Sequence, residues 1–351
     1  MQSGWQRIKE LDALRGFAAI SVVLFHYTMG NPLLERYFVW GVTGVDLFFM
    51  ISGFVIFFTL QTTRSGGDFL VSRFSRLYPI YWVCVSFTAG CMWLNTFLTG
   101  REQADLLGTY GMNLTMLQHY FHVENLEWTY WTLAVEWQFY LFMWALFVLG
   151  QLRHIEWIGW AMLVLGGCFG TFLQGILPSV YETFKTYFLL LGHFPLFLAG
   201  ILFYKLKFEG CTPMRCAQIL ACGVVQFCLF HHVGTSSWHL SDSRYAMALG
   251  GYFVVFFLLA SGHLRFLVHK VPLYLGAISY PLYLTHLYFG FSFFIPLLIN
   301  RCHFSYSAAS LAITLPLVLF LSIGLHEGIE KPFTRSIRVK YRIFFDQNKK
   351  G

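Results

Sequence analysis

Asp12, Arg15, His26, Asp46, Glu136 and His286 are ionisable residues that interrupt long apolar stretches. An ionisable side chain at the centre of a membrane helix costs about 2.5–3.5 kcal/mol on insertion scales, so function is its default explanation. Arg15 and His26 are eleven residues apart, three helical turns to within about 20°, and therefore share a helix face some 16 Å apart along the axis. Asp12, three residues before Arg15, can partly neutralise it. The structural alternative is a snorkelling arginine and a satisfied core histidine. Asp46 lies in Gly41-Val-Thr-Gly-Val-Asp46, at a depth comparable with His26, and Gly41, Gly44 and Gly53 permit close helix approach. Its carboxylate could fix the imidazole tautomer, or could bridge two helices structurally.

Glu136 sits five residues, about 8 Å, into the run that opens at Trp131, again level with His26. A buried carboxylate beside a histidine is a natural general-base pair. Arg73 and Arg76 share a helix face at i and i+3, and their planar donor forks suit phosphate groups. Ordinary flanking charge or lipid headgroup binding is the plain alternative for that pair. Pro281 interrupts the backbone ladder before His286, which could line a passage or sit satisfied in a kinked helix. Between residues 100 and 130, His119, His122, Glu124 and Glu127 alternate with Tyr120, Phe121, Trp128, Tyr130 and Trp131. Such a mixture could stack on a sugar, although an interfacial aromatic belt is the commoner cause. Metal binding by the two histidines is the weakest reading.

These residues need membrane helices to hold them. The 351-residue chain is 57% hydrophobic and only 12% charged, about half the charge that a soluble domain carries. Runs of about 17–25 apolar residues mark spans, and they fall at 11–30, 39–60, 79–99, 131–150, 157–174, 186–204, 215–232, 245–261, 274–299 and 307–327. The expected fold is an all-α, polytopic transmembrane bundle of about ten spans, one domain over 1–351 with a short basic tail from about 334. With the N-terminus inside, only Arg36, Arg101, Lys185, Arg244 and Arg301 of the 24 Lys and Arg fall outside. That asymmetry is the positive-inside pattern and puts both termini in the cytosol. It places Arg15, Arg73 and Arg76 at the cytosolic surface, and His26, Asp46 and Glu136 in the outer half of the bilayer.

The net charge of +7 is thereby a topology signal and not a nucleic-acid footprint. Eight cysteines without a C-x-x-C pair indicate neither a disulfide framework nor a zinc site. Asp12 and Arg15 break the first apolar run and no small-residue cleavage site follows, so that run is expected to be retained. The absence of a Walker loop, G-x-G-x-x-G, G-x-S-x-G and H-E-x-x-H argues against a nucleotide-driven pump.

Several segments together carry a family likeness. They are Leu11-Asp-Ala-Leu-Arg-Gly-Phe-Ala-Ala with His26, Gly44-Val-Asp-Leu-Phe-Phe-Met-Ile-Ser-Gly-Phe54, and Arg73-Phe-Ser-Arg76-Leu-Tyr-Pro-Ile-Tyr-Trp82. Trp131-Thr-Leu-Ala-Val-Glu-Trp-Gln-Phe-Tyr140, Ile278-Ser-Tyr-Pro-Leu-Tyr-Leu-Thr-His286 and Glu330-Lys-Pro-Phe333 follow in order. From about residue 7 to 335 the chain resembles the membrane-bound acyltransferase 3 family, bacterial enzymes that O-acylate surface carbohydrates using cytosolic acyl-CoA. The resemblance implies an inner-membrane protein with acetyl-CoA or another short acyl-CoA as donor and no metal. It also implies a carbohydrate acceptor, with membrane lipids and no nucleic acid as partners. It matches Arg15 and His26 to the family's first-span pair, Arg73 and Arg76 to its arginine pair, and Glu136 to its fourth-span acid. On that footing the three arginines hold CoA phosphates, and His26, oriented by Glu136 or Asp46, deprotonates a hydroxyl. His286 and Trp131 line the substrate path. Competing readings are a glycolipid transporter or flippase built on the same buried charges, and a structural subunit of a polysaccharide export complex.

Overall fold

The apolar runs fold as helices, and there is no β-strand among the described residues, which in this computed structural model are 7–100, 105–234 and 236–348. Arg101, Lys349 and Lys350, which enter the charge pattern, lie outside them. The principal helices are α1 (Lys9–Thr28), α2 (Gly44–Leu60), α3 (Gly66–Thr99), α4 (Trp131–Val148), α5 (Ile155–Cys168) and α6 (Leu189–Glu209). They continue with α7 (Pro213–Cys228), α8 (Asp242–Ala260), α9 (Lys270–Thr285), α10 (Leu315–Leu325) and α11 (Lys331–Asn348). Among the described residues, seven helical segments are long and apolar enough to cross a bilayer, from Pro32–Leu60 to Ala308–Ile337. The protein is a multi-pass helical membrane protein.

Local sequence explains where the helices that matter begin and bend. Ser65 caps α3 by accepting the backbone N–H of Asp68 at 3.1 Å. From there α3 runs unbroken through Pro79, so Arg73 and Arg76 stand on the same rod as the apolar run 79–99 and not in a loop before it. Helix α9 also carries its proline, Pro281, internally. The ladder loosens five residues later, where His286–Phe294 winds as a π-helix before Ile295–Cys302.

Two glycine pairs set close helix crossings. A Cβ on Gly276 would stand 1.9 Å from the Asp12 carbonyl oxygen, and one on Gly16 would stand 2.7 Å from that of Pro272. Backbone therefore meets backbone where α1 crosses α9. Gly53 and Gly200 do the same for α2 and α6, each with a carbonyl of the partner helix 2.0 Å from its missing Cβ. Small residues are the standard route to such approach in membranes, where no hydrophobic force drives helices together. The first crossing holds His26 against His286; the second seats α2, with Asp46 and Ser52, against the largely buried α6. A four-residue ion cluster ties α5, α6 and α7. Glu156 accepts from Arg215 at 2.8 Å and Lys205 at 3.2 Å, while Glu209 accepts from Lys205 at 2.8 Å and Arg215 at 3.2 Å.

Candidate functional site

His26 is paired with His286. His286 Nε2 and His26 Nδ1 are 3.1 Å apart. Each ring also faces a backbone carbonyl: His286 Nδ1 lies 2.9 Å from the Tyr283 oxygen, and His26 Nδ1 lies 2.9 Å from the Val22 oxygen. A carbonyl can only accept, so both Nδ1 atoms carry hydrogen in the neutral rings. His286 Nε2 is then a lone pair that accepts from His26 Nδ1–H, which leaves Nε2 of His26 unprotonated. The bond at Nδ1 fixes the tautomer of His26, with a histidine in the place usually taken by a carboxylate. His26 lines a cavity of about 450 Å³ while His286 is fully buried behind it.

The π-helical turn makes this register possible. Tyr27, the residue after His26, donates its hydroxyl to the His286 carbonyl at 3.0 Å. The backbone N–H of Tyr288 finds the Glu127 carboxylate at 2.8 Å. A wide turn frees backbone groups, and such groups must be paired when buried. Glu127 is thus a buried clamp on the histidine turn, not a solvent-facing loop residue as its position in the 100–130 segment suggests.

The carboxylates take other partners. Asp46 lines the histidine cavity and faces the hydroxyl of Tyr245. Glu136 accepts from Ser52 Oγ at 3.1 Å and from the Tyr140 hydroxyl one turn along α4. Neither acid is hydrogen-bonded to His26. Glu136 instead lines a small waist of about 70 Å³ together with Arg15, Arg76, Phe49, Tyr280 and Tyr283. Arg15 lies close enough to Arg76 and Glu136 to interact electrostatically with both. Asp12, expected to offset Arg15, acts on it electrostatically and is hydrogen-bonded to Arg7 at 2.5 Å.

Beyond the waist opens a cavity of about 800 Å³, walled by Arg7, Arg15, Arg76, Lys331 and Arg335 with Glu330. The expected arginine pair is divided. Arg76 borders both the waist and this basic cavity, whereas Arg73 lies buried over the rings of Phe69 and Tyr140, at 5.7 and 5.9 Å. A three-residue step on a helix turns about 60° short of a full circle, enough to send one side chain into the packing and its neighbour into the cavity. The waist shares Arg15 and Arg76 with the basic cavity, and Val45 and Tyr283 with the histidine cavity. The three spaces therefore lie in series.

Trp131 lines the histidine cavity, its ring 5.3 Å from that of His193. His193, Gln226 and Tyr245 line it too, and sequence reasoning did not single them out. Each belongs to an apolar run in which a lone polar residue is unremarkable. Tyr140 was readable in principle, being one helical turn from Glu136. In the 100–130 segment His119 meets the Thr186 carbonyl at 2.7 Å and His122 the Tyr187 hydroxyl at 3.1 Å.

A family model described as an acyltransferase domain matches residues 8–326. A putative acetyltransferase of Acidianus two-tailed virus is 23% identical over 277 residues, 78% of this chain and 81% of the viral protein. A putative peptidoglycan O-acetyltransferase of Bacillus subtilis is 30% identical over 164 residues, 40% of this chain and 24% of that protein. The peptidoglycan O-acetyltransferase of Listeria monocytogenes is 28% identical over 198 residues, 50% of this chain and 29% of its own length. The chain thus spans about a quarter of the two bacterial relatives. No solved structure matches it.

Proposed function

The chain belongs to the acyltransferase 3 family, and on that premise we propose that it moves an acyl group, most simply acetyl, from cytosolic acyl-CoA to a carbohydrate hydroxyl at the outer face. The observation that carries the reading is the serial arrangement of a basic cavity, a narrow waist and a cavity holding a histidine base.

Arg15 and Arg76, with Lys331 and Arg335 beside them, offer planar forks and charge to the phosphates of the donor. The thioester arm extends through the waist, and the acceptor hydroxyl enters the histidine cavity. His26 Nε2 takes the hydroxyl proton, the oxygen attacks the thioester carbonyl, and the carbon–sulfur bond breaks as the ester forms. The proton held on His26 then restores the CoA thiol. General-base catalysis of this kind contributes about 10²–10⁴-fold. Glu136, held by Ser52 and Tyr140, offsets part of the charge of the two arginines at the waist. The acyl group crosses the membrane and the sugar does not. The charge pattern supports ten spans with both termini in the cytosol of a bacterial inner membrane. An acetylated surface glycan, peptidoglycan among the options, is the acceptor class that the relatives' names support.

The test uses purified protein in lipid nanodiscs with labelled acetyl-CoA, measuring CoA release and acetyl ester on glycan. His26→Ala is expected to lower turnover at least 100-fold with unchanged protein yield. Full activity in that variant, or transport of intact glycolipid without ester formation, would sink the reading.

A further inference from the structure

Besides His26, the histidine cavity carries more polar atoms than a passive lining needs. Asp46 on α2, Gln226 on α7 and Tyr245 on α8 converge there, the tyrosine hydroxyl facing both other side chains. His193 on α6 and Thr129, just before α4, line it too. All five residues are more than nine-tenths buried. Gln226 Oε1, His193 Nδ1 and Thr129 Oγ1 have no hydrogen-bond partner among the described residues. Folded proteins pair nearly all such atoms, and three exceptions among the residues lining one cavity call for a ligand that pairs them. Gln226 Oε1 and the Asp46 carboxylate accept, while Thr129 Oγ1 and His193 Nδ1 can do either. A hydroxyl both donates and accepts, so several hydroxyls on one ring answer all of them.

An alkyl alcohol would leave these atoms unpaired. A phosphate or acidic sugar would meet Asp46 with no lysine or arginine lining the cavity to offset it. Flat side chains, Trp131, Phe230 and Tyr288 among them, supply the apolar faces that a sugar ring's C–H edges cover, and the volume lies in the range of small-molecule sites.

We propose that Asp46, Tyr245 and Gln226, with His193 and Thr129, form a subsite for a neutral sugar ring that sets which hydroxyl faces His26. The assignment rests on the reading of this cavity as the acceptor side of an acyl transfer, and its test needs no chemistry.

Equilibrium binding to the full chain in nanodiscs is measured for labelled tetrasaccharides of glucose, galactose, N-acetylglucosamine and, as the acidic case, galacturonic acid. At least one neutral tetrasaccharide should bind, and the acidic one at least about 10-fold more weakly. Gln226→Leu and Tyr245→Phe should each weaken binding about 5–10-fold, in line with a lost buried hydrogen bond. Should Gln226→Leu fail to fold, Thr129→Val keeps its shape, deletes one hydroxyl and should weaken binding about threefold. Absence of binding by every neutral tetrasaccharide, tighter binding of the acidic one, or variants that bind like the parent would overturn the assignment. Sugar binding without any CoA release from acetyl-CoA would refute the acyl-transfer reading and leave the subsite standing.

Discussion

Replacing His286 by Ala probes the histidine pair without touching the residue that lines the cavity. The substitution deletes the acceptor 3.1 Å from His26 Nδ1 but leaves the Val22 carbonyl at 2.9 Å. The tautomer of His26 therefore survives, and the loss is one of orientation. One hydrogen bond contributes about 0.5–1.5 kcal/mol net, roughly a two- to tenfold change. The imidazole-sized gap also lets the His26 ring swing, and a misplacement of about 1 Å costs as much as 10² in rate. Turnover should fall about 10–100-fold, short of the loss expected for His26→Ala. The apparent KM for acetyl-CoA should not move, because the arginines line the waist and the basic cavity and not the histidine cavity. Gln reaches about as far as Nε2 and restores an acceptor, so His286→Gln should recover to within about fivefold of the parent. The assay is single-turnover transfer from labelled acetyl-CoA in nanodiscs, with size-exclusion profiles as the check on folding. Activity of His286→Ala within twofold of the parent, or a glutamine variant no better than alanine, would refute the positioning role.

Other outcomes follow from the same geometry. Arg76→Ala should raise the KM for acetyl-CoA about 10–100-fold, the scale of a lost charge-assisted hydrogen bond. Arg73→Ala, whose side chain packs on Phe69 and Tyr140 away from both cavities, should lower the melting midpoint while leaving that KM within about threefold. Gly200→Ala places a methyl 2.0 Å from the Met50 carbonyl oxygen, and should destabilise by about 3 kcal/mol or more, read as loss of monodisperse protein in detergent. Glu156→Ala leaves Lys205 and Arg215 to the half-exposed Glu209 alone, and should cost about 2 kcal/mol, read by thermal melting with activity per folded molecule unchanged.

The helical class was legible from the long apolar runs, and Arg15, His26, Asp46, Glu136 and His286 stood out as candidates because charge inside an apolar run is expensive wherever the run lies. Depth along a single helix was legible too, since rise per residue is fixed. What one helix faces on another was not. His26 and His286 are 260 positions apart, and their register depends on a π-helical turn held by Glu127, for which the sequence offers only Pro281 as a hint. Asp46 and Glu136 were matched to His26 by depth alone, yet depth leaves rotation about the helix axis free. Rotation points Asp46 at Tyr245 and Glu136 at the waist. Arg73 and Arg76 show the limit of the shared-face rule, since one buries its guanidinium and the other opens into the basic cavity.

The waist has an electrical consequence. If the two larger cavities open on opposite sides of the membrane, as proposed, the passage between them bridges a charged capacitor. Each elementary charge leaking through it dissipates about 2.3 kcal/mol per 100 mV. About 70 Å³ is room for a handful of waters at roughly 10–15 Å³ each, too little for an ion to keep its shell. Two guanidiniums against one carboxylate leave the constriction net positive, which repels protons and metal cations alike. The residues that would hold the donor thus double as insulation, and a resting cell could keep many idle copies without draining its proton-motive force. Arg76→Ala should accordingly raise proton conductance in sealed vesicles even when no donor is supplied.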